Sequence, residues 1–270
     1  MSQETFTRFA AVTHAVAPAF PAAPQALSDR LTALYGLSQR SNHVFGSPLG
    51  PFHDRSRHHH VPRFVYFGPH TSEESLRLAF YTGFDHRDLR GMLGLLHFVE
   101  RLALSPDLGH GLNLSFFPLI DVLGLESGDE DGRGLATAHW GRTRAPEIGL
   151  LEKDACLHGY HGFVRIESAP GDDVIGIRLR GHPDLVATGV ELISSNDTDP
   201  LPVRWEAGVD GFLPADGPLS IADDLPFPPF ELTLRIPAAW PAELHREAIT
   251  SILKRFVLRY RSHQAYGQHL

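Results

Sequence analysis

The segment Gly68-Pro-His-Thr-Ser-Glu-Glu74 sets an imidazole, His70, three residues ahead of a carboxylate, Glu73. It follows an apolar run, Arg63-Phe-Val-Tyr-Phe67, that reads as a short strand broken by a Gly-Pro turn. Residues three apart at the entry of a helix lie on one face, so the two side chains can share one cation. The carboxyl edge of an open α/β sheet is where such folds place their ligands. Solvated turns carry the same spacing, so the pair gains meaning only from the elements around it.

Those elements alternate. Ser28 to Gly36 reads as a helix with Ser28 as N-cap and Gly36 as its stop, and Ser72 to Tyr81 as a second helix with Glu73 and Glu74 in its first turn. Asp88 to Leu104 carries Leu89, Met92, Leu93, Leu96 and Val99 at helical spacing. Leu112 to Ile120 is a nearly continuous apolar run, as expected of a buried parallel strand. A helix from Pro146 to Leu157, strands at Gly162–Glu167 and Val174–Leu179, a strand at Phe230–Ile236 and a terminal helix from Ala242 to Tyr260 complete the pattern. The expectation is an α/β fold, a three-layer α/β/α sandwich around a mixed, largely parallel sheet. Residues 1–44 read as an N-terminal arm and helix packed on a domain of residues 45–270.

Composition narrows the function. A net charge of -8 argues against nucleic acid or an anionic membrane surface as the main partner. The single cysteine, Cys156, excludes an internal disulfide and fits a reducing compartment; with no basic, apolar leader, a cytoplasmic location is expected. No base is fixed beside Cys156 by sequence, so it is not read as a nucleophile. No window holds the roughly 18 apolar residues that a membrane helix requires. Among 17 histidines, His58-His59-His60 stand together and read as an exposed loop without partners that would set a coordination geometry. The acids of Ser127-Gly-Asp-Glu-Asp-Gly-Arg-Gly134 lack the spacing of a calcium loop.

From Phe45 to Tyr260 the order of elements remotely resembles the zinc carboxypeptidases, including their aspartoacylase and succinylglutamate desuccinylase relatives. Gly68-Pro-His-Thr-Ser-Glu is similar to the family's Gly-x-His-Gly-Asn/Asp-Glu signature, which implies that His70 and Glu73 are the first two zinc ligands. Phe116-Phe-Pro-Leu-Ile-Asp-Val-Leu-Gly resembles the following strand and its Pro-x-x-Asn-Pro-x-Gly turn, and Pro229-Phe-Glu-Leu-Thr-Leu-Arg the segment of the catalytic glutamate, implying Glu231.

The chain departs from that pattern in three places. The family's third ligand is a histidine at a strand end, and Tyr160-His-Gly-Phe-Val-Arg-Ile-Glu-Ser168 offers Glu167 there, with His158 and His161 ahead of the strand as other candidates. Ala136 and Thr137 stand where an Asn-Arg pair would bind a substrate carboxylate, with Arg133, Arg142 and Arg144 nearby. Asp121 and Val122 replace the Asn-Pro of the turn.

The resemblance thus implies a metal-dependent hydrolase cleaving an amide bond in a small peptide or acylated amino acid. His70, Glu73 and Glu167 would hold zinc, or manganese given two carboxylates, and Glu231 would shuttle the proton. The departures leave a second expectation open, a catalytically degenerate relative that binds a ligand or partner.

Overall fold

The computed structural model describes residues 20–54, 57–72, 75–128, 133–135, 143–181, 201–206 and 229–267. From the amino end the elements are α1 (Gln25–Ser38), β1 (Val44–Gly46), β2 (Leu49–Asp54), β3 (Arg57–Val61), β4 (Phe64–Phe67), β5 (Leu76–Tyr81) and α2 (Leu89–Leu104). There follow β6 (Leu112–Phe117), α3 (Val122–Ser127), α4 (Pro146–His158), β7 (Gly162–Ala169), β8 (Ile175–Arg180), β9 (Val203–Trp205), β10 (Phe230–Pro237) and α5 (Ala242–Gly267).

Eight strands form one mixed sheet in the order β1-β4-β6-β5-β7-β10-β8-β9. The central strands β6, β5, β7 and β10 run parallel, while β4 opposes β6 and β8 opposes β10. Helices lie on both sides, giving the expected sandwich. On one side α2 packs against α1 and α5; β2 and β3 form a separate hairpin that meets α4 and α3.

Side-chain alternation sorts the aromatic core by face. Phe80 on β5 stacks on Phe116 of β6 at 5.0 Å, and Phe98 of α2 meets Phe116 edge-on at 6.0 Å. On the opposite face Tyr81 stacks on Phe117 at 4.8 Å. Burying each such ring contributes about 1.5–3 kcal/mol. Helix α2 presents Met92, Leu95, Leu96, Val99 and Leu102 to this core, and its Asp88 cap accepts from the Gly91 amide.

Three local expectations change. The stretch expected as a helix over Ser72–Tyr81 forms β5, whose Leu76–Tyr81 lies hydrogen-bonded between β6 and β7. The acid-rich start resembled a first helical turn, but pairing on both edges and near-complete burial of the strand decide otherwise. His58–His60 belong to β3 rather than a loop, and helix α1 starts at Gln25 after Pro24, with Ser28 and Gly36 inside it. Most of the N-terminal arm, the acids Asp129 to Asp131 and the Pro- and Asp-rich stretch 207–228 lie outside the described residues.

Candidate functional site

His70 and Glu167 stand at opposite edges of the sheet. Strand β4 runs against β6, so its carboxyl end, Phe67, pairs with Asn113 at the amino end of β6. His70 follows there, exposed, in left-handed backbone (φ 57°), its ring 4.8 Å from that of His110. Glu167 lies near the carboxyl end of β7, and the stretch from His161 to Glu167 alone spans roughly 20 Å at the rise of a strand. No single ion reaches both. Glu73, the expected partner of His70, lies outside the described residues, as do Ala136, Thr137 and Arg142.

Glu231 sits at the amino end of β10, paired in register with Phe163, and its buried carboxylate accepts from Arg180 at 3.3 Å. The partner of Glu167 across β10 is instead Arg235. His158 caps the end of α4 against Asp154, and the His161 Nδ1 accepts from the Arg77 amide; both belong to the amino edge of β7. The Asp154 carboxylate raises the pKa of His158.

At the carboxyl edge β5, β7 and β10 deliver Gly83–Asp88, Arg165–Pro170 and Arg235 around one cleft of about 230 Å³. Gly83 makes this possible. It turns the chain in left-handed backbone (φ 66°), and a Cβ there would lie 2.9 Å from both the Leu119 Cα and the Pro118 carbonyl oxygen. Gly83-Phe-Asp-His-Arg-Asp88 therefore follows the carboxyl end of β5 and brings Asp85 and Asp88, three residues apart, to the cleft. The signal was legible as a Gly-led acid spacing after an apolar run.

Every carboxylate in this cleft already has partners. Asp85 accepts from the Arg87 amide at 2.9 Å and from its guanidinium at 2.8 and 2.6 Å, and these bonds hold its pKa below the ordinary value. Asp88 accepts from the Gly91 amide, the Ser168 amide at 2.9 Å and the Ser168 hydroxyl at 2.6 Å. Glu167 lies between Arg165 at 2.9 Å and Arg235 at 3.5 Å. Arg165 also stacks its guanidinium 4.7 Å above the Phe84 ring. Arg235 reaches Asp172 at 3.4 Å and Glu206 at 3.0 Å. A lattice of opposite charges fills the edge.

This donor set does not fit zinc. Catalytic zinc takes three ligands, usually including imidazole, and keeps an open position for water. Asp85, Asp88 and Glu167 supply no imidazole, and their oxygens are committed to arginine, backbone and serine donors. Among the described residues, no group of three or more His, Cys, Asp or Glu side chains is arranged to hold a metal ion.

A second buried network braces the same edge. Asp121, at the turn after β6, caps α3 through the Gly124 amide and accepts from His86 at 2.8 Å and Arg133 at 3.0 Å. Arg133 also pairs with Glu147 of α4, whose carboxylate accepts from the Leu123 amide at 3.1 Å. His86 thereby ties the Gly83–Asp88 segment to α3 and α4. Of the arginines considered as substrate anchors, Arg133 is consumed in this brace.

His245 of α5 completes the support from the other face, its Nε2 lying 3.0 Å from the Ser168 hydroxyl. Burial lowers its pKa from the ordinary 6.5, with Asp88 opposing and Arg90 reinforcing the shift. A depressed folded value means that the unfolded chain takes up the proton first. The stability tied to His245 is therefore full above 6.5 and lost as pH falls below it. Urea midpoints measured across that range should show a steeper acid-side decline in the wild type than in His245→Gln; parallel curves would remove His245 as the cause.

No family model and no curated protein matches the sequence. The fold, however, has solved counterparts. A metallo-carboxypeptidase from Burkholderia cenocepacia superposes with a TM-score of 0.66 at 14% identity, over 87% of this chain and 69% of the other. A candidate metallopeptidase from Shewanella amazonensis gives 0.57 at 16%, over 87% and 96%. A metallo-carboxypeptidase from Pseudomonas aeruginosa in complex with (2-guanidinoethylmercapto)succinic acid gives 0.55 at 13%, over 85% and 68%. Sheet order, layers and these superpositions together show that the chain has the fold of the metallo-carboxypeptidases.

Proposed function

We propose that this protein binds a small peptide or acylated amino acid in the carboxyl-edge cleft without hydrolysing it through a zinc ion of its own. The observation that carries this reading is Glu167, clamped between the guanidiniums of Arg165 and Arg235. An arginine supplies positive charge where the resemblance expects a metal, but it stays protonated and cannot generate a bound hydroxide. What it does offer is a planar fork for a carboxylate. A ligand carboxylate would compete with Glu167 for Arg165 and Arg235, and a cationic group would compete with Arg87 for Asp85 in the same cleft. The Pseudomonas neighbour holds a ligand with a guanidino group and two carboxylates. A mixed-charge molecule of that kind suits this lining.

The test is calorimetric titration with amino acids, N-acyl amino acids and short peptides, run beside an amide-hydrolysis assay with added zinc or manganese. Saturable binding that weakens at least tenfold in Arg165→Gln, without metal-dependent product, is the expected result. The fold of its neighbours favours a second reading, metal-dependent amide hydrolysis. Turnover that chelator abolishes and metal restores would establish that reading and overturn the first. Under it, Glu231→Gln should leave turnover in place, because Glu231 lies at the amino end of β10 and does not line the cleft.

A further inference from the structure

We infer that the β2–β3 hairpin carries a two-histidine site for a borderline transition-metal ion, formed by His53 and His58. The two are register partners on antiparallel strands, and both are exposed. Direct cross-strand partners hold their Cβ atoms about 4.5–5.5 Å apart, which points both imidazoles from one face toward the same volume of solvent. Their ring centres are 4.1 Å apart and the rings are inclined by 59°. Two imidazoles bound to one ion at roughly right angles, through bonds of about 2.0–2.1 Å, hold their centres roughly 4–5 Å apart. The observed separation falls within that range.

Alternation fixes which histidines belong to the site. His59 points to the other face, buried, with its ring 5.5 Å from Phe52. His60 returns to the face of His58; a Cβ on Gly50 would meet its ring at 3.4 Å. His59 thus anchors the hairpin to the core, leaving His53 and His58 to solvent. Neutral imidazole suits copper, nickel and zinc, with copper bound most tightly along that series. Water completes the coordination of an ion held by two side chains. This site lies outside the carboxyl-edge cleft and does not depend on what the cleft binds.

The experiment is a titration of the full chain with copper(II) and nickel(II), read by calorimetry and, for copper, by the nitrogen couplings of its electron paramagnetic resonance spectrum. One equivalent held by two imidazole nitrogens is expected, with His53→Ala and His58→Ala each weakening affinity at least tenfold. His70→Ala, which breaks the other close pair of imidazoles, His70 with His110, should leave this equivalent in place. Because both histidines are exposed, the thermal unfolding of the metal-free variants should match the wild type, and His53→Gln repeats the loss with a side chain of more similar size. Wild-type affinity in the His53→Ala/His58→Ala double variant, or no binding by the wild type, would overturn the site.

Discussion

Arg133→Met is expected to cost the fold about 3–5 kcal/mol, the penalty for leaving buried carboxylates without their cation. Asp121 and Glu147 are both 0% exposed, and Arg133 is the guanidinium that reaches the two of them. Each carboxylate keeps some support without it. Asp121 retains His86 and the Gly124 amide, and Glu147 retains the Leu123 amide. Those donors satisfy oxygens, but two buried anions would remain without their shared cation. The Met stem preserves most of the apolar volume of the arginine, so the loss isolates charge from packing. A urea denaturation midpoint measures it. Adding Glu147→Gln to Arg133→Met should recover part of the loss, because one of the two stranded charges is removed. A single-variant loss below about 1 kcal/mol would mean that the carboxylates do not depend on this cation.

Arg235→Ala should have the largest effect on the cleft itself. Arg235 joins Glu167 of β7, Asp172 of the β7–β8 turn and Glu206 beyond β9, so one side chain neutralises acids from three segments. Each acid has a second arginine: Arg165 for Glu167, Arg204 for Asp172 and Arg178 for Glu206. Arg235 is also 31% exposed, so solvent screens part of its contribution. These compensations bring the expected stability loss to about 1–3 kcal/mol, below that of Arg133. Ligand affinity should fall further than stability, by at least tenfold, because the cleft loses half of its guanidinium fork. Arg235→Lys separates the two effects. It keeps a point charge for the acids but cannot offer the planar, two-pronged geometry, so it should restore stability more fully than binding. Equal restoration of both would show that charge alone, not the fork, holds the ligand.

The layered fold was legible in the sequence because its determinants are local. Apolar spacing over Leu89–Leu104, the continuous run at Leu112–Phe117 and the strand before the terminal helix each announce an element by period, and their alternation gives a sandwich. The position of Glu167 at a strand end was likewise readable, since it follows directly from the run that precedes it. What a local reading misses is direction and neighbourhood. Residues 72–81 look helical from their acids and caps, and only pairing with β6 and β7 makes Leu76–Tyr81 a strand.

The pairing of β5 with β6 and β7 sets the edge at which each candidate residue falls. With β5 in place, β4 becomes an antiparallel strand and carries His70 to the amino edge of the sheet, while Gly83–Asp88 arrives at the carboxyl edge. Cross-strand register then makes Arg235, rather than Glu231, the partner of Glu167, and brings His53 opposite His58 on a hairpin that read as a loop. The sequence by itself determined most of the elements, though not β5 or β3, because period and propensity act over a few residues. Tertiary structure alone decided which charges meet, because strand direction and register join residues that the chain holds tens of positions apart.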